Sequence, residues 1–160
     1  MNIRHLRDHV IQPTLLYLGD ELPGFARDGA VELLLGTIAQ ESNFRHLVQL
    51  KGPARGLYQV EPATYRDIQE NYLRFKPAAR EAVMSLCAAW PDPEGQLVTN
   101  LAFATAIARL VYYRSPAAVP APGDIAGQAN VWKRVYNTPL GKGTEAEFIA
   151  NFNRFVAPNL

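Results

Sequence analysis

The strongest pattern in the chain is an almost wholly apolar run, Leu33-Leu34-Leu35-Gly36-Thr37-Ile38-Ala39, that ends abruptly on Gln40-Glu41-Ser42. It predicts a central helix, N-capped at Asp28 and running to about Glu41. That helix is apolar on nearly every face and should be buried all round. Upstream, Ile3, Leu6, Val10 and Ile11 mark an amphipathic helix from Ile3 to about Leu18, interrupted near Pro13. Gly19 to Arg27 is a loop with Pro23-Gly24 as its turn. Downstream, Gly52-Pro53 and Gly56 break any helix over Arg45 to Val60, leaving an irregular segment or a short hairpin. Pro62 suits the first turn of a helix from Ala63 to about Phe75. A further helix runs from Pro77 to Trp90, where Pro91-Asp92-Pro93 stops it, and Leu97 to Arg114 is a second strongly apolar helix. Pro116 to Gly123 carries three prolines and is too short for a domain linker. A helix from Asp124 to Tyr136 follows, and Thr144 with Glu147 three residues on is a capping-box signature for the last one. The pattern is mainly α, organised as one domain over residues 1–160.

Composition narrows the function classes. A 160-residue chain can bury roughly two-thirds of the surface its unfolded form exposes, enough for a real core. Sixteen basic and fifteen acidic residues give a net charge of +1. That balance offers no electrostatic argument for nucleic acid or for an anionic membrane surface. The lone cysteine, Cys87, has no partner for an internal disulfide. Residues 1–9 lack the apolar core of a secretory signal, and no apolar run reaches the length of a membrane span. The expectation is a protein made in a cytoplasm and brought to any outside substrate by another agent.

The candidate chemistry centres on Glu41. A carboxylic acid that donates a proton near neutral pH needs a raised pKa, and both desolvation and the negative end of a helix dipole supply one. Glu41 follows a buried run and occupies the last turn of its helix, where a basic residue would be more comfortable. Position alone leaves it equally readable as a solvent-facing helix end. Ser42 could bond a leaving-group oxygen or simply back-bond to its own helix. Gly56 permits a turn close to a ligand, and Gln59 can both donate and accept. His5 and His9 share a helix face at metal-binding spacing but lack an evident third ligand. His46 could border a cleft. Arg45, Lys51 and Arg55 flank it and could meet carboxylates. Among the aromatics, Tyr58, Tyr65, Tyr72, Trp90, Tyr112, Tyr113, Trp132 and Tyr136, most read as core and some could stack on sugar rings.

Glu41-Ser42-Asn43-Phe44 followed by Gly56-Leu57-Tyr58-Gln59-Val60-Glu61-Pro62-Ala63-Thr64 resembles the soluble lytic transglycosylases and goose-type lysozymes. Asn100-Leu101-Ala102-Phe103-Ala104 resembles a third element of that family, with Ala104 where the family usually has Gly. Tyr136-Asn137 resembles a fourth, with Gly141 set back by Thr138-Pro139-Leu140. The resemblance spans about residues 30 to 141. It implies a lysozyme-like helical domain that cleaves the MurNAc–GlcNAc β-1,4 bond of peptidoglycan without cofactor or metal. Carried over, Glu41 would be the catalytic acid. Ser42 would contact the leaving group, Gln59 would line the cleft, and Tyr136 would sit against the acid or the N-acetyl group. Gly56, Tyr58 and Asn137 complete the implied substrate-binding set.

A lytic transglycosylase needs one carboxylate, because the sugar's own 6-hydroxyl displaces the chain and leaves a 1,6-anhydro product. A hydrolytic lysozyme would use a water and a second acid, for which Glu61, then Asp67 and Glu70, are the sequence candidates. The plainer reading of Glu61, and the preferred one, is a residue just outside a helix, where the dipole favours an acid. A non-catalytic glycan-binding or phage structural module, and an enzyme on chitin-type glycans, stay open. The implied partners are glycan strands and other phage virion proteins, with no nucleic acid and no membrane. Delivery by a phage particle or as an endolysin is the accompanying expectation.

Overall fold

The computed structural model describes residues 1–138 and 141–160, and it is mainly helical. Helix α1 (Ile3–Leu6) passes through a π-helical turn, Arg7–Ile11, directly into α2 (Gln12–Gly19). The expected interruption near Pro13 is therefore a widening of the helix and not a break. Pro13 has no N–H to give and its ring crowds the carbonyl one turn back. The chain relaxes by letting Gln12 N–H reach the Arg7 carbonyl, five residues back.

Helix α3 (Ala30–Ser42) is the buried centre: Leu33, Leu34, Leu35, Ile38 and Ala39 have no solvent exposure. It starts one residue later than the sequence suggests. Gly29, not Asp28, holds the cap position, at φ 83°. A Cβ there would lie 2.0 Å from the Pro120 carbonyl oxygen, so only glycine lets the 120s loop cross at this point. Glu32 in the first turn accepts from Gly123 N–H (2.8 Å) and Gln128 Nε2 (3.0 Å), fastening the same loop.

Helix α4 (Pro62–Asn71) opens with its proline as expected. It leads through a 3₁₀ turn, Leu73–Phe75, to α5 (Pro77–Met84). The helix predicted to reach Trp90 ends at Met84, and the helix predicted from Leu97 to Arg114 is split into α6 (Gln96–Thr99) and α7 (Leu101–Tyr113). One polar knot accounts for both departures. Buried Gln96 accepts from Ala88 N–H (2.8 Å) and donates to the carbonyls of Ala88 (2.9 Å) and Pro91 (2.7 Å). Asn100 donates to the Leu86 carbonyl (2.8 Å) and caps α7 by accepting from Phe103 N–H (3.0 Å). These bonds hold residues 85–91 in turns and pull Asn100 out of helical geometry.

Helix α8 (Ile125–Val131), capped by Asp124, continues into a π-helical stretch, Trp132–Asn137. Helix α9 (Glu145–Asn151) has the full Thr144–Glu147 capping box. It runs on through a π turn, Phe152–Val156, and a 3₁₀ turn, Ala157–Asn159. Over 45–60 the structure has isolated bridges, Val48 with Arg55 and Arg55 with Val60, and no strand among the described residues. The segment is the irregular alternative and not the hairpin.

Helix α3 packs against α9 and the π turn after it, and α7 crosses beside it. Gly36 makes the first contact possible: a Cβ on it would sit 2.4 Å from Cζ of the fully buried Phe148. Alanine in mid-helix normally gains up to about 1 kcal/mol over glycine, whereas overpacking a closed core costs about 1–3 kcal/mol. Gly36→Ala is therefore expected to lose about 1–2 kcal/mol net in a urea denaturation series, and a gain in stability would show that α9 can move away.

Candidate active site

Glu41 lies in the last turn of α3, which closes at Asn43 with φ 51°. Its Oε1 accepts a 2.9 Å hydrogen bond from the indole Nε1–H of Trp132, a residue with no solvent exposure at the head of the π-helical stretch. The carboxyl forms part of the wall of a cleft of about 710 Å³. The opposite wall is built from Gln59, Val60, Glu61 and Thr64, and the rim from Tyr136, Asn137, Thr138 and residues 141–143. Burial pushes the Glu41 carboxyl up to about 7, while the indole hydrogen bond pulls the other way. Such a group holds a proton across much of the neutral range and can surrender it to a bound acceptor.

The tyrosines around the acid keep their protons elsewhere. Tyr136 Oη donates to the Tyr58 carbonyl (2.8 Å), and its ring stacks on Tyr112 at 5.3 Å and 26°. Thr37 gives its hydrogen to the Leu33 carbonyl (2.7 Å), so in the 2.7 Å contact between Thr37 Oγ1 and Tyr112 Oη the tyrosine donates. By the same logic Tyr58 donates to Thr105 (2.9 Å), whose own hydrogen goes to Leu101 (2.7 Å). Burial first, and the nearby Glu41 second, hold the Tyr136 phenol well above its ordinary pKa.

Of the residues read from the sequence, the structure brings Glu41, Gln59, Tyr136 and Asn137 to one cleft. Gln59 sits at φ 49° and donates Nε2 to the Gly56 carbonyl (2.7 Å), which leaves its side-chain oxygen as the group it can offer a ligand. Asn137 Oδ1 accepts from Lys133 Nζ (2.8 Å), which also holds the Gly141 carbonyl (2.7 Å) and so closes the rim loop. Pro139 and Leu140 of that loop lie outside the described residues.

Three expected contacts are not in the cleft wall. Ser42 is fully buried and donates to the Ile38 carbonyl (3.2 Å). Adjacent helical residues point about 100° apart, so when Glu41 faces the cleft Ser42 must turn to the core. Gly56, at φ 73°, faces protein and not a ligand: a Cβ would fall 1.9 Å from the Leu97 carbonyl oxygen. Tyr58 is buried and serves the site through its backbone carbonyl. Among the second-acid candidates, Glu61 is exposed on the cleft wall at the head of α4. Asp67 is held below its ordinary range by hydrogen bonds from Asn71 and Arg114 and lines a different groove.

Arg55 is paired with Glu94 (3.2 Å), which also takes Arg66 (2.9 Å). His5 and His9 meet each other edge to face at 5.8 Å. Burial raises the Cys87 thiol, the opposite of an activated thiolate.

No protein-family model, curated protein or solved structure matches this chain. The site therefore stands on its own geometry. Among the described residues, no helix is long and apolar enough to cross a membrane.

Trp132 is the residue that sequence reasoning missed. A signal existed: it lies four residues before Tyr136 and shares its helix face, so whatever places Tyr136 by the acid brings Trp132 there too. Because the folded state favours protonated Glu41, its contribution to stability falls as pH rises from about 4.5 to about 7 and stays low above that. Glutamine keeps the acceptor for Trp132 and removes the charge. Glu41→Gln should match the parent at pH 4 and exceed it at pH 8 by on the order of 2–3 kcal/mol in guanidinium denaturation. Trp132→Phe removes the bond that favours the anion, so the Glu41 carboxyl followed by ¹³C NMR should titrate at higher pH than in the parent.

Proposed function

We propose that this protein cleaves the β-1,4 bond between MurNAc and GlcNAc in peptidoglycan as a lytic transglycosylase. The observation that carries the reading is Glu41: an acid with a pKa near 7, tethered by an indole and opening on a cleft of about 710 Å³ lined by polar side chains. Glu41 gives its proton to the glycosidic oxygen as the bond to the anomeric carbon breaks. The 6-hydroxyl of the same sugar then attacks that carbon and returns its proton to Glu41. One bond breaks and one forms, no water is consumed, and the acid ends in its starting state.

The resemblance of Glu41-Ser42-Asn43-Phe44 and Gly56–Thr64 to the lytic transglycosylases supports the same reading. Gln59 and Asn137 offer hydrogen bonds along the cleft, and Tyr136 presents its oxygen lone pairs, since its proton is given to Tyr58.

A hydrolytic lysozyme is the second reading, favoured by one observation: Glu61 shares the cleft with Glu41 and could serve a water. Two experiments separate the readings. Mass spectrometry of digested peptidoglycan should show products carrying the anhydro mass, 18 Da below the hydrolytic ones by the loss of one water; fully hydrated products would replace the transglycosylase reading with the lysozyme one. Glu41→Gln should lower kcat by about 10²–10⁴, and Glu61→Gln by less than about tenfold. A comparable loss in both variants would again favour hydrolysis. The parent's activity should fall as pH rises above about 7, because the acid step needs protonated Glu41.

A further inference from the structure

A second cavity, of about 270 Å³, lies between the 20s loop and the 115–119 loop at the end of α7. Its wall contains Arg109, which is 2% exposed. A guanidinium has five N–H donors and cannot shed its charge in this setting. Nε donates to the Phe25 carbonyl (2.9 Å) and Nη2 to the Gly24 carbonyl (3.3 Å). The rings of Phe25 and Tyr113 stand 5.2 and 5.5 Å from its central carbon. Nη1 is buried with no hydrogen-bond partner, and among the described residues no carboxylate pairs with this side chain. The other cation on the wall, Arg27, is exposed and likewise has no ion pair among the described residues. Arg27 also borders the neighbouring cavity that holds Asp28 and Glu32, and neither of those carboxylates lines this one.

Two guanidinium groups facing one small cavity without an acid is an unusual arrangement, because an uncompensated buried charge is costly. Several carbonyls of the wall, and that of Phe25 beside it, are already engaged. Pro23, Gly24 and Phe25 accept from Tyr113 and Arg109, and the Tyr112 carbonyl accepts from Ser115 N–H. Ser115 Oγ takes the Ala117 N–H (3.2 Å), which leaves its hydroxyl hydrogen free to donate.

We propose that this cavity is an oxyanion-binding site, in which Arg109, Arg27 and the Ser115 hydroxyl receive a phosphate or carboxylate group. Both groups present planar pairs of oxygens that match a guanidinium fork. The site shares no wall residue with the Glu41 cleft and does not rest on the function proposed for it.

The test is a titration of ¹⁵N-labelled protein with inorganic phosphate, and separately with acetate, at constant ionic strength against chloride. Saturable shifts are expected at the Arg109 Nε–H and at the amides of Ala117, Ala118 and Val119. Arg27→Gln, an exposed substitution that leaves the core intact, should weaken the tighter-binding anion about tenfold, the equivalent of one charge-assisted hydrogen bond. Arg109→Gln should abolish saturation, and if that variant does not fold, the Arg27 series decides alone. Saturable, Arg27-dependent binding of either anion supports the site, and the tighter one names the group it takes. Shifts that stay linear, that centre on Lys133 and Lys142, or that are unchanged in Arg27→Gln would overturn it.

Discussion

The hydrogen bond from the Trp132 indole to Glu41 ties the end of the central helix to the π-helical stretch that follows α8. It depends on a chain of close contacts. Gly36 has no side chain, so the ring tip of Phe148 from α9 can close against α3. Phe148 in turn packs on the Trp132 ring at 5.5 Å and 31°. The rim of the cleft rests on the same ring, since a Cβ at Gly143 would meet Trp132 at 2.6 Å. The indole is thus fixed from two sides before it reaches the carboxyl. Interiors this dense do not yield gradually, so the acid is held in one place by packing and by one hydrogen bond.

The same packing explains why the acid keeps its proton. Desolvation raises a carboxyl pKa, and hydrogen bonds to the anion lower it. Tyr136 and Tyr112 stand close enough to Glu41 to feel its charge, and a phenol hydrogen donated to the carboxylate would have stabilised the anion. Each is instead turned away, Tyr136 to the Tyr58 carbonyl and Tyr112 to Thr37. One indole N–H remains, too little to offset burial. Burial raises the carboxyl to about 7, and the neighbouring hydroxyl hydrogens do nothing to oppose it because they are spent elsewhere, that of Tyr112 on Thr37, a buried residue outside the cleft wall.

What was legible in the sequence follows the range of the interactions. The apolar run of α3, the proline at the head of α4 and the Thr144–Glu147 box depend on residues within one or two turns, and all are visible in the pattern, whereas Asn100 reads from the pattern as helix interior and caps α7 instead. The start of α3 was displaced because Pro120, some ninety residues away, demands a glycine at 29. The helix expected to Trp90 stops at Met84 because Gln96 and Asn100 offer its would-be carbonyls better partners. Within the site, Glu41, Gln59, Tyr136 and Asn137 could be grouped from spacing and resemblance. Ser42 could not be placed that way, because adjacency in sequence means divergence on a helix. Trp132 was hidden by its composition: a tryptophan on an apolar face reads as core, and here it is both core and donor.

Helix α7 shows the domain treating two buried ionisable groups in opposite ways. On one side it contributes Val111 to the cleft wall and Tyr112 to the stack against Tyr136, next to Glu41. On the other it carries Arg109 and Tyr113 into the small cavity. A buried carboxyl that lacks a counter-charge can neutralise itself by taking a proton, and Glu41 does so up to about pH 7. A guanidinium has no such escape. Burial lowers Arg109 only to about 10, which leaves it charged at any pH where the protein would work. Its charge must be met by matter rather than by titration: by carbonyls, by aromatic faces, and, for the nitrogen that has neither, by an anion. The unpaired acid is thereby a device complete within the chain, whereas the unpaired base implies something outside it.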